Sequence, residues 1–202
     1  SAANALKQFE DNISSGRYKP TPTGLKAFDD MLGGGLFPGL YVVAAATGFG
    51  KSTFCLQLAD ELASNGEDVV YFSLDELIAR SLSRLTYLKA SNKKFARTTR
   101  AILQQSIIRG DDRKFLDEYN QVYSDALDTF ERMADKLFYR DGSTDRITID
   151  EVESFVRQLV ESGRRPFVFV DYLQFLKTDI QNLTDKQQAD RVIEALKRLS
   201  TR

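Results

Sequence analysis

Apolar positions divide the chain into an alternation of helical and extended stretches. Leu6, Phe9 and Ile13 recur at helical spacing between Ala3 and Ile13, ahead of Ser14-Ser15-Gly16. They predict a short amphipathic helix that cannot bury both faces alone, and so an arm over residues 1–16 joined to a core at 17–202. Leu25, Phe28, Met31 and Leu32 stripe a second helix from Gly24 to Leu32, with Thr23 placed to cap it and Gly33-Gly34-Gly35 to stop it. Leu40 to Ala44 carries no polar residue and predicts a buried strand, followed by a helix-patterned stretch from Thr53 to Ala63. Asp68 to Leu74 is apolar at nearly every position, as a central parallel strand requires. Residues 76–136 show neither strand pattern nor proline and predict several helices, broken near Ser91-Asn92 and Gly110-Asp111.

Beyond them, Leu137 to Arg140 predicts a brief strand ending in an Asp-Gly turn. Thr148, with Glu151 three residues on, predicts a capping box for a helix from Ile149 to Glu161. Pro166 to Val170 is a further apolar strand, closed by Asp171, and a last helix follows from about 185 to 200. Strands alternating with helices specify an α/β fold: a parallel sheet with helices on both faces.

The loop between the first predicted strand and its helix carries the chemistry. Ala45-Ala46-Thr47-Gly48-Phe49-Gly50-Lys51-Ser52 fits the phosphate-binding loop G-x-x-x-x-G-K-[ST], with alanine at the first position. Gly48 and Gly50 let the backbone turn tightly and bring its N–H groups around a phosphate. The helix beginning near Thr53 points its positive dipole end at the same anion. Lys51 supplies a point charge for the β- and γ-phosphates, and the Ser52 hydroxyl can ligate Mg²⁺. A turn that binds nothing would give Lys51 no packing role.

Two acidic positions complete such a site. Asp171 closes an apolar strand, and ligands in doubly wound sheets gather at the carboxyl ends of strands. There it can hold Mg²⁺ opposite Ser52; the alternative is an ordinary turn or N-cap aspartate. Asp75 and Glu76 end the second strand, where one of them can orient an attacking water, or both can simply cap a following helix.

Composition narrows the chemistry further. The 202 residues suit one α/β domain, and no apolar run approaches the ~20 residues that span a bilayer. Histidine is absent and Cys55 is the single cysteine, which removes Ser-His-Asp and Cys-His catalysis, His-based metal sites and thiolate zinc sites. Cys55 reads as a small core residue and suits a reducing, cytoplasmic setting. What remains (carboxylates, Lys51, hydroxyls, backbone dipoles and a hard cation) is the equipment of phosphoryl transfer. The net charge of −1 gives no global nucleic-acid signal. Between Arg80 and Arg100, however, seven basic residues occur with no acidic one, and acids concentrate between Asp111 and Asp135. The basic run could touch phosphates or pair with those acidic helices.

These residues resemble a known family. Thr23-Gly24-Leu25 with Phe28-Asp29, then Pro38-Gly39, the loop at 45–52, Phe72-Ser73-Leu74-Asp75 and above all Val170-Asp171-Tyr172-Leu173-Gln174 are similar to the RecA-like motor domain of DnaB-type replicative helicases. The resemblance runs from about Thr21 to the last residue. It implies a RecA-like P-loop NTPase that binds ATP and Mg²⁺ through residues 45–53. It also implies a hexameric ring that moves along single-stranded DNA. Asp75 stands where the family has its catalytic glutamate, so Asp75 or the following Glu76 takes that role. Residues 177–188 occupy the place of a DNA-facing loop. The family pattern continues past Arg202 into a sensor strand and an arginine finger, so the motor is expected to be incomplete as given. RecA/RadA-type strand exchange, a KaiC-like ATPase, or a non-hydrolysing loader or scaffold are the alternatives.

Overall fold

The structure, a computed structural model, describes residues 1–16, 19–73, 120–141, 147–173, 176–178, 180 and 183–200. Its centre is a three-stranded parallel sheet of β1 (Val69–Ser73), β2 (Leu137–Asp141) and β3 (Phe167–Asp171), in the order β2-β1-β3. Val69 lies opposite Leu137 and Phe167, and Ser73 opposite Asp141 and Asp171. The strands therefore begin and end level. β1 is buried at all five positions, which explains its unbroken apolar pattern.

Alternation along β1 sends successive side chains to two cores. Val69 and Tyr71 pack with Leu56, Leu62 and Ala63 of α3 (Lys51–Ser64) and with Met133 of α4 (Asn120–Ala134). Val70 and Phe72 pack with Val152 and Val156 of α5 (Ile149–Glu161) and with Val192 and Ala195 of α6 (Asp185–Leu199). Helices thus cover both faces, as the alternation of elements predicts.

Local signals set the helix ends. The Thr148 hydroxyl accepts from the Glu151 N–H at 3.3 Å, while the Glu151 carboxylate accepts from the Thr148 N–H at 2.8 Å. Thr184 and Gln187 build a second capping box at the start of α6. At the amino ends of the strands, the Asp68 carboxylate accepts from Arg164 at 2.6 Å and from Lys136 at 3.2 Å. Each of these three residues lies just before a strand, so one carboxylate ties all three starts together. Both cations are partly exposed, and each pair is worth only ~0–1 kcal/mol. Their value lies in geometry.

Two expectations need correction. Leu40–Ala44 is not a strand and is not buried: Val42 is 78% exposed, and Leu40, Tyr41 and Val43 also face solvent. β1 is flanked on both sides by β2 and β3, and among the described residues neither outer edge of the sheet pairs with this segment. An apolar run states a demand for burial without saying which strand meets it. Second, α2 spans Lys26–Met31 with Leu25 at its N-cap, so Thr23 does not cap it directly. Instead the buried Thr23 donates from its hydroxyl (2.7 Å) and its N–H (2.9 Å) to one oxygen of Asp29, and accepts from the Leu25 N–H at 3.2 Å. Of the helical stretch expected at 76–136, α4 is helical as expected, and residues 76–119 lie outside the described residues.

The first helix, α1 (Ala2–Ser14), buries none of its residues, and Leu6, Phe9 and Ile13 are exposed. Thr21 and Leu36 exchange two backbone hydrogen bonds of 2.8 Å and close the segment that leads towards the phosphate loop. Gly35 makes that closure possible. Its φ is +137°, and a Cβ there would collide with the Thr21 carbonyl.

Candidate nucleotide site

Gly48 (φ +84°) and Gly50 (φ +86°) both take the left-handed conformation that the loop motif demands. Gly50 is the N-cap of α3, and no side chain caps that helix. The N–H groups of its first turn therefore face the loop with the positive end of a 14-residue helix behind them. The Lys51 ammonium folds back over the loop, donating to the carbonyls of Ala45 (2.8 Å) and Ala46 (3.3 Å). Its charge is thereby held against the carbonyls of the loop. Lys51 and Ser52 are half-buried; Ala45 to Gly50 and Thr53 are exposed, and Phe49 stands out at 81% exposure.

Asp171 is the last residue of β3 and the register partner of Ser73. Residues two apart along a strand share a face, so Asp171 lies on the side of Phe167 and Phe169, which pack against the α3 core. Its Oδ2 accepts a hydrogen bond from the Tyr71 hydroxyl at 3.1 Å. Tyr71 is wholly buried, and its ring stacks on Phe169 with centroids 5.4 Å apart and planes within 6°.

The Cys55 thiol of α3 feels the Asp171 charge. Burial first, and the negative field of Asp171 second, push its thiol from an ordinary 9.0 up to about 11. Asp171 therefore acts electrostatically on the early turns of α3. Ser52 precedes Cys55 by three residues and shares that face of the helix. The early turns of α3, which follow directly on Lys51 and Ser52, thus pack on the face of β3 that carries Asp171. Asp75 and Glu76 lie outside the described residues. Tyr71 is the residue that sequence reasoning passed over. Its signal was faint: a single hydroxyl in an otherwise apolar strand, two residues before that strand's end.

The donor set suits a Mg²⁺-nucleotide. Among the described residues no group of three or more histidine, cysteine, aspartate or glutamate side chains could cage a metal. Mg²⁺ does not require a cage: it is commonly held by one or two protein oxygens together with substrate phosphates and water. Ser52 and Asp171 are the residues that would hold it here. Lys51 and the first-turn amides would hold the phosphates.

Comparison with known proteins accords with this geometry. The family described as DnaB-like helicase C terminal domain matches residues 21–202. The chain belongs to that family. This DnaB-like domain superposes on a solved ATPase domain with a TM-score of 0.71 at 20% identity, over 100% of this chain and 67% of the other. It superposes equally well (0.71, 23% identity) on a DnaB-like replicative helicase solved in a study of its interactions with primase, over 99% of this chain and 45% of that one. At such identities the likeness concerns the fold, which is RecA-like.

Part of the sequence also resembles DNA repair protein RadA. Identity is 38% over 65 residues for Mycobacterium tuberculosis, covering 32% of this chain and 14% of that protein. It is 43% over 67 residues for a Streptococcus pyogenes relative, covering 33% and 14%. The aligned part thus spans about one-seventh of the curated relatives' length. Among the described residues of the DnaB-like domain, no helix is long and apolar enough to cross a membrane.

Proposed function

We propose that this DnaB-like domain is the ATP-hydrolysing motor of a replicative DNA helicase, coupling Mg²⁺-ATP turnover to movement along single-stranded DNA and to strand separation. The supporting observation is the uncapped, glycine-turned start of α3, with Lys51 folded over it and the Asp171 charge directed at the same helix. In this reading Ala45 to Thr53 bind the phosphates, and Lys51 neutralises charge that develops on the γ-phosphoryl group. Ser52 and Asp171 would hold Mg²⁺, which would supply Lewis-acid polarisation of the phosphate. Asp75 or Glu76 orients the attacking water. Residues 1–16 form an arm outside the ATPase core at 17–202, and the working assembly is a homo-oligomeric ring, a hexamer by family.

The test is Mg²⁺-dependent ATP hydrolysis with and without single-stranded DNA, beside Lys51→Ala. Turnover that rises with DNA and vanishes in Lys51→Ala supports a DNA-driven motor. Nucleotide binding without turnover, unchanged by DNA at low salt, refutes it and leaves a nucleotide-gated loader or scaffold. The RadA identity favours one second reading, a recombination ATPase. DNA-stimulated turnover with strand exchange but no unwinding would select it.

A further inference from the structure

We propose that Tyr71 is a positioning residue for the nucleotide site, whose hydroxyl fixes the Asp171 carboxylate in the orientation that Mg²⁺ requires. The inference rests on the reading of Asp171 as a metal-holding residue and extends it to a side chain that has no place in the phosphate-loop motif.

Three observations carry it. The first is the hydrogen bond itself, 3.1 Å from the phenol to Oδ2 of Asp171. It joins residues 100 positions apart. The second is that the donor cannot drift. Tyr71 has no exposed surface, lies in the central strand, and is clamped by the Phe169 ring on one side and the α3–α4 core on the other. The third is the register. Asp171 pairs directly with Ser73, so Tyr71 is its diagonal neighbour on the adjacent strand, a spacing that only a long or aromatic side chain bridges.

A carboxylate at the end of a strand has two torsions free to turn. A fixed donor on one oxygen removes much of that freedom and leaves the other oxygen available, in a carboxylate whose charge is felt by the Cys55 thiol of α3. Partners of this outer kind commonly alter metal affinity by ~10–100-fold when removed. A buried tyrosine also needs some acceptor for its hydroxyl, so a purely structural bond is the competing account. The two accounts differ in what Tyr71→Phe does. That change keeps the ring, the stack on Phe169 and the volume, and it deletes only the donor.

The experiment measures binding of a fluorescent, non-hydrolysable ATP analogue to the full chain, in excess EDTA and across a Mg²⁺ titration. It compares wild type, Tyr71→Phe and Asp171→Asn, with thermal unfolding of each. The proposal expects Tyr71→Phe to raise the Mg²⁺ concentration for half-maximal effect by ~10-fold or more, with metal-free affinity unchanged and a fall in melting temperature no greater than the loss of one hydrogen bond gives. A wild-type Mg²⁺ response in Tyr71→Phe, while Asp171→Asn shifts it, overturns the role of Tyr71 and leaves Asp171 as the metal residue. An unchanged response in both variants overturns the Asp171 reading and this inference with it. A Tyr71→Phe protein that loses metal-free and Mg²⁺-dependent affinity in proportion, together with melting temperature, shows a packing role only and also overturns the proposal.

Discussion

The Cys55 thiol offers a direct probe of the charge at the candidate site, and its reactivity with iodoacetamide can be anticipated. An alkylating agent attacks only the thiolate, so the rate follows the ionised fraction. A thiol moved from 9.0 to about 11 is ionised at pH 8 to roughly one part in a thousand, against one part in ten for the ordinary group. Slowing by ~100-fold follows from ionisation alone. Burial also hinders approach of the reagent, but that multiplies every rate equally and leaves the pH profile in place. The profile is therefore the quantity to measure. In folded protein the logarithm of the rate should climb by about one per pH unit through pH 10 without levelling, whereas urea-unfolded protein should level off above about pH 9. Asp171→Asn should move the folded profile to lower pH by the part of the shift that its charge supplies, leaving the larger part due to burial. Stability carries the same sign. Because the folded value lies above the unfolded one, the neutral buried thiol favours folding below about pH 9, and this advantage declines as pH rises towards 11. A folded-state plateau between about pH 9 and 10 would refute the reasoning, and so would an Asp171→Asn profile identical to wild type.

Further outcomes follow from the packing and the caps. Leu62→Ala, at a wholly buried position of α3, should cost ~2–5 kcal/mol in denaturant unfolding, since the rigid sheet face cannot collapse into the space. Thr148→Ala should cost ~1 kcal/mol through the loss of the capping box, and Thr148→Ser should restore most of it. Gly35→Ala should destabilise by at least the ~1–3 kcal/mol of a strained backbone, because both φ and the Thr21 carbonyl oppose a Cβ; a thermal melt equal to wild type would contradict this. Hydrogen bonds from the Thr23 hydroxyl and N–H hold the Asp29 carboxyl below its usual value. The stability it lends is therefore present above the unfolded value of about 4 and fades as pH falls through the lower folded value. Wild type should lose its advantage over Asp29→Asn only in that acid range.

What was legible in the sequence was local. The Thr148 capping box needs partners three residues apart, and β1 and β3 announce themselves because strands covered on both faces must be apolar throughout. The phosphate loop was legible for the same reason, since its glycines, lysine and serine are contiguous. Leu40–Ala44 shows where this logic stops: its composition calls for burial, yet the described residues offer it no partner strand. Equally hidden were the bonds that tie distant segments, Tyr71 to Asp171 and Asp68 to Arg164, because neither end carries a local sign of the other. Thr23 fell between these cases. Its position suggests a cap for α2, whereas its partner is the Asp29 side chain rather than the helix end.

The Asp68 knot at the amino ends of the strands has a consequence at the opposite end of the sheet. Side chains on a strand alternate, so a slip of β3 by one residue against β1 would turn Asp171 away from α3 and into the apolar layer of Val152 and Val156, and offer Val170 to the loop in its place. Arg164, three residues before β3, is anchored to Asp68 at the foot of β1 and opposes that slip from ~16 Å away, the five strand steps between Asp68 and Ser73. An ion pair of negligible worth to overall stability thereby acts as an indexing pin. The Arg164 pair adds to the ladder and the core in selecting which of two interleaved sets of side chains the nucleotide site is built from.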